Sequence, residues 1–144
     1  MKFFTLLLFL LMGLAAGAQH VALTVISNPK GAPTELKEPE LKAVLKGERQ
    51  RWRSGYKIVI ALMKTNTDVG RYTSEKVYAM TADELKKYWL ALVFQGKAEA
   101  PVFFNTTSEL ETFVAENPGA IGIVDEAQPS ASTQVVLIDG RKAL

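Results

Sequence analysis

The single histidine, His20, and fifteen carboxylates are the side chains from which acid–base chemistry would have to be built, because the chain has no cysteine. No serine stands in a nucleophile-elbow pattern, and the one histidine, His20, stands beside the expected mature terminus, so a catalytic triad cannot be assembled. Glu35, Glu38, Glu40, Glu109, Glu111 and Glu116 lie at or near the ends of predicted helices, where capping and the helix dipole account for acidic residues. One histidine and scattered carboxylates give neither the soft ligands nor the convergent spacing of a zinc or copper site, and no cofactor is expected. His20 beside the Gln19 amine would bind copper only adventitiously. Trp52 between Arg51 and Arg53 could stack on a sugar or base, but a large aromatic is more often packed. Asn105-Thr106-Thr107 is a glycosylation acceptor only on a eukaryotic secretory route. These residues give no catalytic set, and the chain reads as a non-enzyme.

The elements that would position any site begin after an export signal. Lys2 is followed by the apolar run Phe3–Met12 and the small residues Gly13-Leu14-Ala15-Ala16-Gly17-Ala18. That run is shorter than the roughly 20 apolar residues a bilayer core requires. It reads as a signal peptide, residues 1–18, cleaved after Ala18 on the Sec route to the periplasm. Residues 19–144 then have the size of one domain with a single core. Without cysteine, that core must hold the domain together unaided. There are 17 lysines and arginines, Lys2 among them, against 15 acidic residues. So even a balance leaves no nucleic-acid footprint; the cluster Lys46, Arg49, Arg51 and Arg53 reads as a solvated loop.

Along the mature chain, His20–Ser27 and Tyr56–Leu62 are rich in β-branched and apolar residues and predict strands, as do Ala120–Val124 and Gln134–Ile138. Glu38–Lys46 predicts a short amphipathic helix with Pro39 in its first turn and Gly47 just beyond its end. Arg71–Met80 predicts a second helix, with Tyr72, Val77 and Tyr78 partly inward. Thr81 and Glu84 have capping-box spacing ahead of a third, whose inward face is Leu85, Tyr88, Trp89, Leu92 and Val93. Ser108 and Glu111 form a second box opening a fourth helix, with Leu110, Phe113 and Val114 inward. Alternating strands and helices with short connections imply an α/β fold, a central sheet covered by helices.

Four stretches in this order resemble the phosphate-type periplasmic substrate-binding proteins. They are Leu36–Gly47 followed by Trp52 and Gly55; Tyr56–Leu62 with its polar loop to Gly70-Arg71; Tyr88–Lys97 followed by Ala100-Pro101; and Asn117-Pro118-Gly119-Ala120-Ile121-Gly122-Ile123-Val124. The last is the most specific. The resemblance covers nearly all of residues 19–144 and implies a single lobe of the type II periplasmic-binding-protein fold.

That family binds a small oxyanion, such as phosphate, between two lobes, so a chain with residues for one lobe carries half of the usual site. The family's anion loop has Ser-Gly-Thr before a helix; here Thr67-Asp68-Val69-Gly70-Arg71 stands in its place. The hydroxyl pair is missing and Asp68 would repel an anion, whereas Gly70, Arg71 and the helix N-terminus keep suitable physics: free N–H groups, a favourable dipole and a bidentate guanidinium. The bland reading is a solvated loop in which Arg71 pairs with a carboxylate. If the module binds an anion, Gly70, Arg71 and a donor such as Ser27 or Asn28 should face one concavity. The expected partners are a small oxyanion and the membrane component of an ABC transport or sensing system. The alternative is an interaction module without a ligand, contacting a membrane component or forming a homodimer, and exposing an apolar patch of several hundred Å².

Overall fold

The structure is a computed structural model that describes residues 21–125 and 132–144. The signal-peptide reading and His20 lie outside the described residues.

Two strands form the centre. β1 (Leu23–Ser27) is buried at every position, and β5 (Ala120–Asp125) at every position but its last. Both are continuous apolar or small-residue runs, as strands covered on both faces must be. β1 runs antiparallel to β5 in a register that sets Ser27 opposite Ile121 and Leu23 opposite Asp125. β3 (Val59–Met63) lies parallel to β5 on its other side, with Ile60 beside Ile121. β4 (Val102–Phe104) adds in parallel to β3, and β6 (Gln134–Val135) adds antiparallel to β1. The sheet is therefore mixed, in the order β4-β3-β5-β1-β6, with β4 at an edge. A second, two-stranded parallel sheet joins β2 (Glu35–Leu36) to β7 (Leu137–Ile138).

The expected α/β architecture is present, with helices flanking a central sheet. The strand expected over Gln134–Ile138 is divided, because Val136 is the point at which the chain leaves β1 for β2. β2 and β4 were not foreseen, being two and three residues long with no alternation to read.

α1 (Glu38–Leu45) carries Pro39 in its first turn and buries Leu41, Val44 and Leu45. It ends at Gly47, whose φ of 76° is the left-handed conformation that glycine adopts without strain. Two phenols then fix this end to the rest of the fold. Tyr78 donates from its hydroxyl to the Leu45 carbonyl at 2.6 Å, and Tyr88 donates to the Lys46 carbonyl at 2.6 Å. Burial pushes the Tyr78 hydroxyl well above its usual titration range; the Tyr88 hydroxyl is raised also, by burial and then by Glu48.

α2 (Asp68–Lys76) starts three residues before the expected helix and stops short of Met80. Thr67 supplies the early start, since its hydroxyl accepts from the Gly70 amide at 3.0 Å. α3 (Ala82–Phe94) opens at Thr81 as expected, with the Glu84 amide donating to the Thr81 hydroxyl at 3.2 Å. Its inward face is narrower than its periodicity indicates: Leu85 and Trp89 are buried, but Val93 is 46% exposed. α3 packs on α2 and the end of α1 instead of lying along the sheet, so one stripe suffices to seat it. α4 (Thr107–Glu116) covers β5, β3, β4 and β1. Its cap is Thr106, accepting from the Glu109 amide at 3.2 Å, two residues before the box expected at Ser108. β4 ends at Phe104, and the chain turns into the helix two residues later, at Thr106.

Candidate functional site

The loop between β3 and α2 is built around one oxygen. The Lys64 carbonyl accepts from the Thr67 amide at 2.9 Å and from the Thr67 hydroxyl at 2.6 Å. Gly70 sits against the same group, so near that a Cβ there would stand 1.9 Å from the Lys64 oxygen. Only a residue without a side chain lets α2 begin this close to the end of β3. The Lys64 amide is tied to Phe104 at 2.9 Å, which anchors the loop to β4.

The first turn of α2 presents amides with no acceptor inside the helix, at the positive end of the dipole. Thr67 satisfies Gly70, and its backbone carbonyl satisfies Arg71 at 3.0 Å, which leaves the turn's earliest amides, those of Asp68 and Val69, for an outside acceptor. Arg71 is exposed and donates from Nη2 to Asp68 Oδ1 at 3.3 Å. Its guanidinium also lies 5.6 Å from the centre of the Tyr72 ring, with Lys76 Nζ 5.2 Å from the same centre. The loop thus joins free amides and cationic side chains to one carboxylate that partly neutralises them.

Of the residues singled out in the sequence, Thr67, Asp68, Gly70 and Arg71 come together here. Ser27 and Asn28 do not. Through Ile121, Ser27 is level with Ile60 near the start of β3, whereas Thr67 follows the end of β3 at Met63. Three residues of strand, roughly 10 Å, separate those levels. Ser27 and Asn28 therefore lie toward the opposite end of the sheet, a geometry fixed by the antiparallel pairing of β1, which the sequence did not disclose. Both are buried and engaged. Asn28 Nδ2 donates to the Val114 and Ala115 carbonyls at 3.0 Å each, its Oδ1 accepts from the Lys30 amide at 2.8 Å, and the Ser27 hydroxyl accepts from Gln134 Nε2 at 3.0 Å. The expected single concavity uniting them with Arg71 is not formed.

Trp52 is buried and donates to the Gly119 carbonyl at 2.8 Å, so it is a packed residue of the turn and offers no stacking surface. Among the described residues no group of three His, Cys, Asp or Glu side chains is placed to hold a metal ion, and no helix is long and apolar enough to cross a membrane.

What the sequence reading missed is a groove of about 630 Å³ between α3 and the edge strand β4. Leu85, Trp89, Leu90, Val93 and Phe103 line it, and Lys64, Thr65, Asn66 and Lys86 close its polar end. Its trace in the sequence is Val93, the last residue of the expected inward face of α3, together with Leu90 beside that face.

An α/β lobe with this mixed sheet, and a helix springing from the end of β3, has counterparts among solved proteins. An ABC-type phosphate transport receptor from Vibrio cholerae superposes with a TM-score of 0.65 at 14% identity, over 83% of this chain and 46% of the receptor. The fold is that of the phosphate-type substrate-binding receptors. A protein described as a phosphate ABC transporter substrate-binding protein, from Clostridium perfringens and with bound phosphate, gives 0.64 at 17% identity, over 85% and 47% of the two chains. PstS from Borrelia burgdorferi gives 0.63 at 16% identity, over 84% and 48%. The chain spans about half the length of these receptors, as a single lobe of the PstS-like fold would. No family model matches the sequence, and no curated protein sequence does.

Proposed function

We propose that residues 19–144 form an exported, non-catalytic, solute-binding module that takes a small oxyanion, phosphate in the first instance, at the N-terminus of α2. The free amides of Asp68 and Val69 and the guanidinium of Arg71 are the donors in this reading, with Thr67 and Gly70 holding the loop. The observation that carries it is the seating of Gly70 on the Lys64 carbonyl, which fixes a helix N-terminus beside an arginine at the exit of a sheet strand. The fold supports it, since one receptor of this fold holds phosphate. The module would serve the membrane component of an ABC transport or sensing system in the periplasm, with the second half of the cleft supplied from outside these residues.

Titration of the purified protein with phosphate and sulfate, following thermal unfolding, tests the reading. Saturable stabilisation is expected, about 2.7 kcal/mol at a hundredfold excess over Kd, and Arg71→Ala should abolish it. If neither anion moves the transition of the wild-type protein, the binding reading is wrong.

The Arg71–Asp68 pair and Phe94, which stands exposed at the end of α3 outside the groove, favour a second reading, an interaction module that has lost its ligand and contacts a membrane component or another copy of itself. Sedimentation equilibrium separates self-association from the monomer the first reading permits.

A further inference from the structure

The groove between α3 and β4 has no role in the anion site, although it adjoins it. At about 630 Å³ it falls within the range of small-molecule sites, roughly 300–1,000 Å³, and like them it is largely apolar with a few polar groups at one place. Its walls come from α3 (Leu85, Trp89, Leu90, Val93) and from Phe103 on the edge strand. Leu90 is 47% exposed and Val93 46%, so hydrocarbon that a core would bury stands open to water. Beside Thr65 and Asn66, the charged groups are two lysines: Lys64 enters from the loop after β3 and Lys86 from the first half of α3. Among the described residues the ion pairs are Lys42–Glu38, Lys57–Glu99 and Arg71–Asp68, so the charges of both groove lysines are without a salt-bridge partner.

We infer that this groove binds a single-chain anionic amphiphile, its hydrocarbon chain along Leu90, Val93 and Phe103 and its carboxylate or phosphate head between Lys64 and Lys86. Charge decides against a second copy as the occupant. A two-fold contact over the groove would cover the unneutralised lysines of each copy with the partner's apolar wall or with its lysines, in neither case with a counter-charge. An amphiphilic anion instead matches apolar wall to chain and cation to head. The inference stands apart from the oxyanion reading, because it uses neither Arg71 nor the helix N-terminus.

The test is calorimetric titration of protein expressed from the full chain with octanoate, decanoate and decyl phosphate, each below its micelle concentration, and with decanol and inorganic phosphate beside them. Decanoate and decyl phosphate should bind one per chain, with decanoate about tenfold tighter than octanoate for its two extra methylenes. Decanol, lacking the charge, should bind at least tenfold more weakly than decanoate. Leu90→Asp and Lys86→Glu, both at exposed positions, should each weaken decanoate at least tenfold while leaving the circular dichroism spectrum and any response to inorganic phosphate unchanged. Absence of saturable binding by decanoate and decyl phosphate to the folded protein would overturn the inference. So would unaltered decanoate affinity in both variants, or a dimer in sedimentation that Leu90→Asp dissociates. Loss of the phosphate response in Arg71→Ala with decanoate binding intact would bear on the oxyanion site alone.

Discussion

Gly70 rests on the carbonyl of Lys64, the oxygen that also receives both donors of Thr67. This one contact determines where α2 begins, which way its first amides point, and where Arg71 stands.

Replacement of Gly70 by alanine should therefore reverse the usual sign of a helical glycine substitution. In an open helix the change stabilises by up to about 1 kcal/mol. Here the new methyl would have to displace backbone, an overpacking cost of about 3 kcal/mol, so the net expectation is a loss of about 2 kcal/mol in urea unfolding. A variant at least as stable as wild type would show that the loop relaxes freely.

The position of the α4 cap can be checked by paired substitutions. Thr106→Ala removes the acceptor of the Glu109 amide and should cost about 1 kcal/mol. Ser108→Ala lies inside the helix and should change stability by less than about 0.5 kcal/mol. The reverse order in thermal melts would return the cap to Ser108.

Asn28→Ala distinguishes a structural residue from a ligand donor. The side chain ties β1 to the end of α4 through two carbonyls and holds the Lys30 amide, and its loss leaves acceptors in and near the core unsatisfied. A loss of about 3 kcal/mol is expected from those bonds. The response of the surviving folded protein to phosphate should not change. A weakened response at unaltered stability would restore Asn28 to the site.

The buried phenol of Tyr78 makes stability fall at alkaline pH. Its titration is raised in the folded state by burial, while the unfolded phenol titrates near 10. Above that value the unfolded chain releases a proton that the folded one keeps, so the unfolded state gains with every further rise in pH. The contribution is about 1.4 kcal/mol per pH unit. Denaturant unfolding between pH 9 and 11.5 should show this decline, and Tyr78→Phe should flatten it at the expense of about 1 kcal/mol at neutral pH, where the bond to Leu45 is lost. An unchanged alkaline slope in the variant would place the titrating group elsewhere, Tyr88 being the other raised phenol.

Much of the lobe was legible in its residues, because the signals were local. β-branched runs marked β1, β3 and β5, Pro39 and Gly47 bracketed α1, and Thr81 with Glu84 opened α3. Each depends on neighbours within one turn or on a short unbroken run of apolar residues. Thr67, Asp68, Gly70 and Arg71 are likewise contiguous, so their convergence required only that a helix start among them.

What the sequence could not fix is everything set by the pairing of distant segments. Strand direction is one case: nothing in Leu23–Ser27 states that β1 runs against β5, yet this sends Ser27 and Asn28 to the other end of the sheet from Arg71. The burial of α3 is another. A helical period shows that one face is apolar, but whether Leu90 and Val93 meet a sheet, a ligand or water depends on where the helix is docked. The sequence by itself determined much of the composition of the core and the starts of α1 and α3. The tertiary structure alone decided which residues share a site, because a hydrogen-bonded register acts between strands nearly a hundred residues apart, and no local preference encodes it.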